Sequence, residues 1–428
     1  MSTQQDCCQE YERAAGLSRR RFMQGAAAAG AAGVATTMFG DAVRQASFGA
    51  TGGNVLVVIS FRGGIDGLGM VVPRGEYYAD YAAARPKIAL GHDSLVAQTP
   101  FFGLHPAMAP VEWLFTSGEL AAVHAVGMEM PNRSHFMAME QIEDADPGSD
   151  VRQGWVNRMI GLDSDGSPSE AVHLTDSIVP TMFVGDSPTL SCDKLSRIKL
   201  SGDKDQFSGG RQAQLRTMWN EEQGVLGDAV RSALATVKQL SPIAQQKIIP
   251  KNGVTYPRAW PAADLSDALK STAHLIRANV GTEVVSIDYG SWDMHSNYGR
   301  SGSGEMDSMV AGFAAELNAF MRDLGPELRS RVTVVTISEF GRRVEENGNQ
   351  GLDHGWGNMM LLAGAGVKGG QYYGSWPGLG AGKLLDGDLK VTTDYRNVLG
   401  EIVSARFPGR TANQVFPGLT YRPLGVMR

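Results

Sequence analysis

The sequence predicts an α/β protein: a doubly wound, mostly parallel sheet flanked by helices. Three observations carry this. Short aliphatic and β-branched runs recur along the chain without polar interruption, as strands buried on both faces require. Between them lie stretches with the apolar spacing of helices. The strand-like runs also end in segments rich in Gly, Asp, Ser and His, where open α/β sheets carry their ligand-binding loops. With 428 residues, 43% of them hydrophobic, the chain is long enough to build a sizeable core.

In order, the first strand is Asn54–Ser60, directly after a Gly pair. A helical stretch over Pro106–Phe115 precedes a second strand at Leu120–Val126. Helical patterns between about 211 and 279 lead to a third strand at Thr282–Asp288. A long amphipathic helix over Met306–Leu324 leads to a fourth at Arg331–Ile337, and Met359–Ala363 is the fifth. All five are read as buried parallel strands. Residues of about 145–260 have weaker periodicity and more Gly, Ser, Asp and Lys. They are expected to form an insertion or cap on one domain spanning 51–428.

Residues 1–50 are set apart as a signal peptide. Ser18-Arg19-Arg20-Arg21-Phe22-Met23-Gln24 fits the twin-arginine consensus, and no charged residue follows between Met23 and Gly40. That stretch is mostly Ala and Gly, too weakly apolar for a transmembrane anchor of roughly 20 strongly apolar residues. Small residues at Ala42, Ala46 and Ala50 offer cleavage sites. The expected destination is the periplasm or the exterior, reached folded through the twin-arginine translocase, with no stable membrane anchor. Cleavage removes Cys7 and Cys8 and leaves Cys192 alone, so the mature chain forms no internal disulfide. A formal net charge of −6 without a Lys/Arg-rich run in the mature part argues against nucleic acid as a partner.

The strand ends supply the candidate chemistry. The first runs into Phe61-Arg62-Gly63-Gly64-Ile65-Asp66-Gly67, the second into Asn132-Arg133-Ser134-His135. The third gives Asp288 to His295, the fourth Ser338-Glu339-Phe340-Gly341-Arg342, and Leu352-Asp353-His354-Gly355 precedes the fifth. His with Asp and Glu is the donor set of a hydrolytic metal site. Each residue also has a plainer reading. Asp66 is either a ligand or a turn residue bonding its own backbone. Ser134 is either a helix cap or a nucleophile at a helix N-terminus. His135 is catalytic or a packing residue. Asp293 and His295 either ligate a metal or bond each other, and Glu339 either ligates or pairs with Arg342 or Arg343. Asp353 and His354 complete the metal candidates; Arg342 joins Ser134 and His135 as a catalytic candidate. Gly364-Ala365-Gly366-Val367-Lys368-Gly369 matches a dinucleotide-binding spacing. No helix-forming stretch follows it, so it is read as a turn.

On these residues the chain resembles the exported bacterial family catalogued as "domain of unknown function 1501". The resemblance rests on Phe61 to Gly67, Gly103-Leu104-His105-Pro106, Ser134-His135-Phe136, Trp292-Asp293-Met294-His295, Ser338 to Arg342 and Asp353-His354-Gly355-Trp356-Gly357. That family is grouped with the alkaline phosphatase-like and sulfatase-like superfamily. The resemblance implies an alkaline phosphatase-like fold with a binuclear metal site, Asp66, Asp293, His295 and His354 among its ligands and Ser134 as nucleophile. Glu339-Phe340 departs from the Asp-His that many superfamily members carry there, and leaves one His ligand to be replaced by His135 or Asp353.

Two functions are therefore expected in competition. One is an exported enzyme hydrolysing or transferring a phosphate or sulfate ester of a small molecule or polymer, dependent on a divalent metal such as zinc, manganese, calcium or magnesium. The other is a non-catalytic exported binding or assembly protein that keeps the fold.

Overall fold

Runs of Val, Leu, Ile and Met make the centre of one large sheet. The computed structural model describes residues 53–162, 167–175, 178–199, 210–222, 224–258 and 260–428. The twin-arginine segment, its cleavage options, Cys7 and Cys8 lie outside the described residues.

The strands, in chain order, are β1 (Val55–Phe61), β2 (Val71–Pro73), β3 (Phe102–Leu104), β4 (Leu120–Gly127), β5 (Ala171–His173), β6 (Leu190–Ser191), β7 (Val284–Tyr289), β8 (Val332–Ile337), β9 (Asn358–Gly364), β10 (Tyr372–Tyr373) and β11 (Thr393–Asp394). Nine form a mixed, mostly parallel sheet ordered β10-β4-β9-β8-β1-β7-β5-β6, with β11 also on β4; β2 and β3 pair separately. β1 is central and parallel to both neighbours, with Val57 opposite Val285 and Val334.

Four helices matter for the argument: α1 (His135–Asp144), α2 (Ala263–Ala278), α3 (Glu305–Arg329) and α4 (Tyr395–Arg406). Successive residues of a strand face opposite sides, and β1 divides accordingly. Val57, Ile59 and Phe61 pack with Val310, Phe313 and Leu317 of α3. Leu56 and Val58 pack on the other face with Val398, Leu399 and Ile402 of α4. Each such side chain, fully removed from water, contributes roughly 1.5–3 kcal/mol before entropy. Phe61 meets Phe313 edge-on at 4.9 Å and Trp292 at 5.0 Å, tying the end of β1 to the loop after β7.

Several expectations change in detail. β9, read as parallel, is antiparallel to both β8 and β4. A strand buried on both faces carries the same uniform apolar pattern in either direction, so its sequence does not encode the sense. Residues 106–115 divide into a 3₁₀ segment, Pro106–Val111, and an α-helical turn, Glu112–Thr116. Pro110 lacks an N–H and interrupts a continuous α-helix there. α3 extends beyond Leu324 to Arg329, with Gly325 leaving helical geometry before Pro326. Within the stretch expected as an insertion, β5 joins the main sheet beside β7 and β6 beside β5. Cys192 is a buried free thiol, pushed up to about 12 by burial, and so unreactive. No helix of the described residues is long and apolar enough to cross a membrane.

The antiparallel sense of β9 has a direct effect on the site. The loops after β1, β4, β7 and β8 leave one edge of the sheet. A strand running the other way enters from that edge, so residues 353–357 join the same group.

Candidate metal centre

His135 opens α1, immediately after Ser134 at the N-cap. Asp293 and His295 lie in the loop after β7, Glu339 and Arg342 in the loop after β8, and Asp353 and His354 before β9. Gly63 lets these loops close up. Its φ is +112°, and a Cβ there would lie 2.7 Å from the Asp293 amide nitrogen, so only glycine fits without strain.

Three imidazoles converge. His354 Nε2 lies 3.0 Å from His135 Nε2, 3.1 Å from His295 Nε2 and 3.1 Å from Asp293 Oδ1. His295 Nε2 is 3.0 Å from Asp293 Oδ1, and His135 Nε2 is 3.5 Å from Asp293 Oδ2. The opposite nitrogen of each ring faces an oxygen. His135 Nδ1 is 2.9 Å from Glu339 Oε1, His295 Nδ1 3.2 Å from Asp353 Oδ1, and His354 Nδ1 3.0 Å from the Arg133 carbonyl. A carbonyl or carboxylate oxygen accepts, so each neutral ring carries its proton on Nδ1. Three Nε2 lone pairs are then left pointing at one another and at a carboxylate.

Protonation alone does not satisfy this geometry. Each Nε2 to Nε2 contact needs one protonated and one lone-pair partner, and the single lone pair of His354 Nε2 faces two rings and Asp293. A cation between them would satisfy it. Tetrahedral ligands at zinc-to-nitrogen distances stand about 3.3 Å apart; the His135–His354, His295–His354 and His135–Asp293 pairs stand 3.0–3.5 Å apart. His135, Asp293 and His354 each offer a ligand atom within 4.8 Å of the others. Imidazole nitrogens with one carboxylate suit a zinc-like ion, whereas calcium and magnesium favour all-oxygen shells. An oxygen acceptor behind each histidine is the usual support of a metal-binding imidazole.

The electrostatics follow from the same contacts. Asp293 and then Glu339 draw the His135 imidazole up to about 9 when no cation is bound. Asp293 raises His295 as well. Burial alone would raise Asp293, but His135, His295, His354 and Arg342 hold it well below the usual carboxylate range. Burial likewise opposes Glu339, yet the bonds from His135 and the Gly63 amide keep it low. Asp293 is about half exposed, with 46% of its side chain accessible. The centre therefore opens to solvent.

The sequence-predicted residues take distinct places. His135, Asp293 and His354 come together as the candidate donor group, and His295 lies against Asp293 and His354. Glu339 and Asp353 stand behind His135 and His295. Arg342 is buried; it donates to Asp293 Oδ1 at 2.6 Å and to the carbonyls of Gly63, Gly64, Trp292 and Leu352. Its guanidinium thus fixes the Asp293 carboxylate instead of facing solvent. Ser134 caps α1 with no side-chain cap bond, so its hydroxyl is not spent on the helix. Asp66 is not brought to this group. Its carboxylate is buried and takes Arg85 at 2.6 and 3.0 Å, the Tyr298 hydroxyl at 2.6 Å and the Leu68 amide at 3.3 Å. It also accepts at the N-cap of the turn Gly67–Met70, as the turn reading expects.

Two contributors had not been singled out. Asn347 donates to Asp353 and to the His295 carbonyl, and its only sequence signal is a Gly/Asn-rich turn. The Arg133 carbonyl carries no signal at all, since any residue supplies one.

The fold and the centre together define a mixed α/β protein with a histidine–carboxylate cluster at a sheet edge. A family model described as "Protein of unknown function (DUF1501)" matches residues 252–394, a segment that includes every donor and support side chain except His135. Among solved structures, the chain is similar to a protein in the alkaline phosphatase superfamily from Vibrio parahaemolyticus, at 10% identity and a TM-score of 0.31, over 74% of this chain and 61% of that one. It is also similar to the PsFucS1 sulfatase of a Pseudoalteromonas species, at 14% identity and TM-score 0.32, over 77% and 65%. A third likeness is to the C-terminal periplasmic domain of EcEptC from Escherichia coli, in complex with Zn, at 10% identity and TM-score 0.34, over 75% of each chain. A search of curated proteins gives no match.

Proposed function

We propose that this chain is an exported metal-dependent hydrolase or transferase of phosphate or sulfate esters. One observation carries the reading: three imidazoles, each with Nδ1 tied to an oxygen, turn their Nε2 lone pairs toward Asp293 at a solvent-open sheet edge. A divalent cation held by His135, Asp293, His295 and His354 would supply positive charge for the ester's anionic oxygens. Glu339, Asp353 and the Arg133 carbonyl hold the rings in the ligating tautomer, and Arg342 holds the carboxylate. The Ser134 hydroxyl loses its proton to solvent as its oxygen forms the new bond to phosphorus or sulfur at the N-terminus of α1, where helix amides favour negative charge. The ester oxygen leaves with its electron pair and takes a proton from water. Water, or an acceptor hydroxyl in a transfer, then attacks the phosphorus or sulfur, loses its proton, and frees the serine oxygen, which is reprotonated.

A second reading, a binding or assembly protein with one structural cation, draws on Asp66. Its engagement by Arg85 and Tyr298 supports one metal position and not two. Protein recovered from the periplasm of its expression host, without chelator, decides between them. About one equivalent of metal and turnover of an aryl phosphate or sulfate that His354→Ala abolishes are expected for the enzyme. Metal without turnover on either ester favours the binding reading. Metal-free protein sinks both, and retention in the cytoplasm counts against export.

A further inference from the structure

Between β4 and α1, residues 129–133 make no backbone-to-backbone hydrogen bond among the described residues. Irregular chain of this kind moves unless side chains hold it. Yet the loop has to be fixed, because three parts of the centre depend on it. The Arg133 carbonyl accepts from His354 Nδ1, and Ser134 and His135 follow directly.

Side chains supply what the backbone does not. Asn132 accepts from the Ser134 amide at 3.0 Å and donates to Gln141 at 2.9 Å. Both partners belong to α1 or its cap, so these bonds shape the turn into the helix without tying the loop to the sheet. Arg133 makes that tie. Its guanidinium donates to Asp388 Oδ2, 255 residues along the chain. The Arg133 side chain is 39% exposed, whereas that of Asp388 is 1% exposed, so the bond reaches from the surface to a buried anchor.

The anchor is rigidly held. Leu385 and Asp388 exchange backbone hydrogen bonds at 3.0 and 2.8 Å around Asp386 (φ +51°) and Gly387 (φ +86°). Two successive left-handed residues are the mark of a tight two-residue turn. The Gly387 carbonyl accepts from the Val344 amide at 3.1 Å, and the Leu389 carbonyl from the Gly357 amide at 3.0 Å. The turn is thus stitched to the segments that carry Arg342 and His354. Burial pushes the Asp388 carboxyl up, and Arg133 opposes this. Asp388 Oδ1 has no hydrogen-bond partner among the described residues, which leaves Arg133 as the one side chain bonded to this carboxylate. A buried carboxylate is costly to leave unpaired, so it draws the guanidinium, and the loop with it, to one place.

We propose that Asp388 is a positioning residue of the metal centre: through Arg133 it fixes the loop that brings the Arg133 carbonyl to His354 and presents Ser134 and His135. The inference rests on the metal site of the preceding reading and not on ester turnover.

Zinc affinity of the chelator-stripped full chain, read against a competing dye, tests it in a double-substitution cycle. Asp388→Asn and Arg133→Ala are each expected to weaken zinc about tenfold, the low end for partners of metal-bound histidines. Because both break one link, the two together should also lose about tenfold, and not the roughly hundredfold of independent effects. Arg133→Lys keeps a cation for Asp388 and should recover part of the loss. An ion pair that served stability alone would lower the urea midpoint and leave the zinc affinity of the folded variants unchanged. Circular dichroism checks folding. If Arg133→Ala, which strands the buried carboxylate, does not fold, Asp388→Asn is compared with the double variant, and equal affinities are expected. Undiminished affinity in folded variants, or losses that multiply, overturns the proposal and leaves the metal site standing. A parent chain that binds no zinc overturns both.

Discussion

Glu339 Oε1 accepts from both the Gly63 amide and His135 Nδ1, so one oxygen fixes the β1 loop and the tautomer of a ligand. Glu339→Gln keeps the volume and an acceptor but loses the charge that favours Nδ1–H. Supporting partners of metal-bound histidines typically matter 10–100-fold for affinity, and a fall of about that size is expected. Titration of chelator-stripped protein with zinc against a competing dye measures it. Undiminished affinity would remove His135 from the ligand set. Arg342 is the opposite kind of residue, buried among four carbonyls, its charge balanced by Asp293 alone among the carboxylates it bonds.

At the scale of elements, Arg85 ends the helix Tyr78–Ala84 and pins it to the β1 loop through Asp66. Both partners are almost fully buried, Arg85 at 0% and Asp66 at 3% exposure. Arg85→Met leaves a buried carboxylate without its cation, expected to cost about 3–5 kcal/mol. Adding Asp66→Asn should recover part of this. Urea unfolding of the two variants is the check, and equal losses would mean that the ion pair is not the cause. The same pair explains why Asp66 misled the reading of the sequence: its partners lie 19 and 232 residues away, and a Gly-flanked Asp looks alike as ligand, turn or ion pair. The five long strands were legible because their apolar runs are unbroken. The three-residue β5 and two-residue β6 are too short for any period, and the direction of β9 has no local signature. His135, Asp293, His295 and His354 were legible as a group because each lies next to a strand end or helix start. That their Nε2 atoms turn toward Asp293 while Glu339 and Asp353 stand behind depended on ring orientation, which no spacing records.

For the whole molecule, acid should reveal two buried neutral histidines. Burial pushes His105 and His124 down to about 4, and His105 Nδ1 accepts from the Ala107 amide, a bond that requires its lone pair. Their folded values lie below the unfolded value of about 6.5. The unfolded chain therefore binds protons that the folded one refuses, and stability present above about pH 6.5 is lost as pH falls toward 4. The limit is on the order of 3 kcal/mol per histidine. Asp144, raised by burial to about 6, and Glu316, raised by burial to about 7, act in the opposite sense; their contribution fades as pH rises through those values. A difference measurement separates the two. Between pH 7.5 and 5, the urea midpoint of His105→Asn should fall less than that of the parent chain, and parallel curves would contradict a neutral His105.

The donors of the centre come from three segments remote along the chain: His135 and His354 are 219 residues apart. An unfolded polypeptide holds them at no fixed distance, so an ion bound there would be captured only after assembly of the sheet. A chelator would then compete with a finished scaffold and not with a folding chain. If the proposed ion is bound before export, any membrane the protein crosses must let it pass without unravelling.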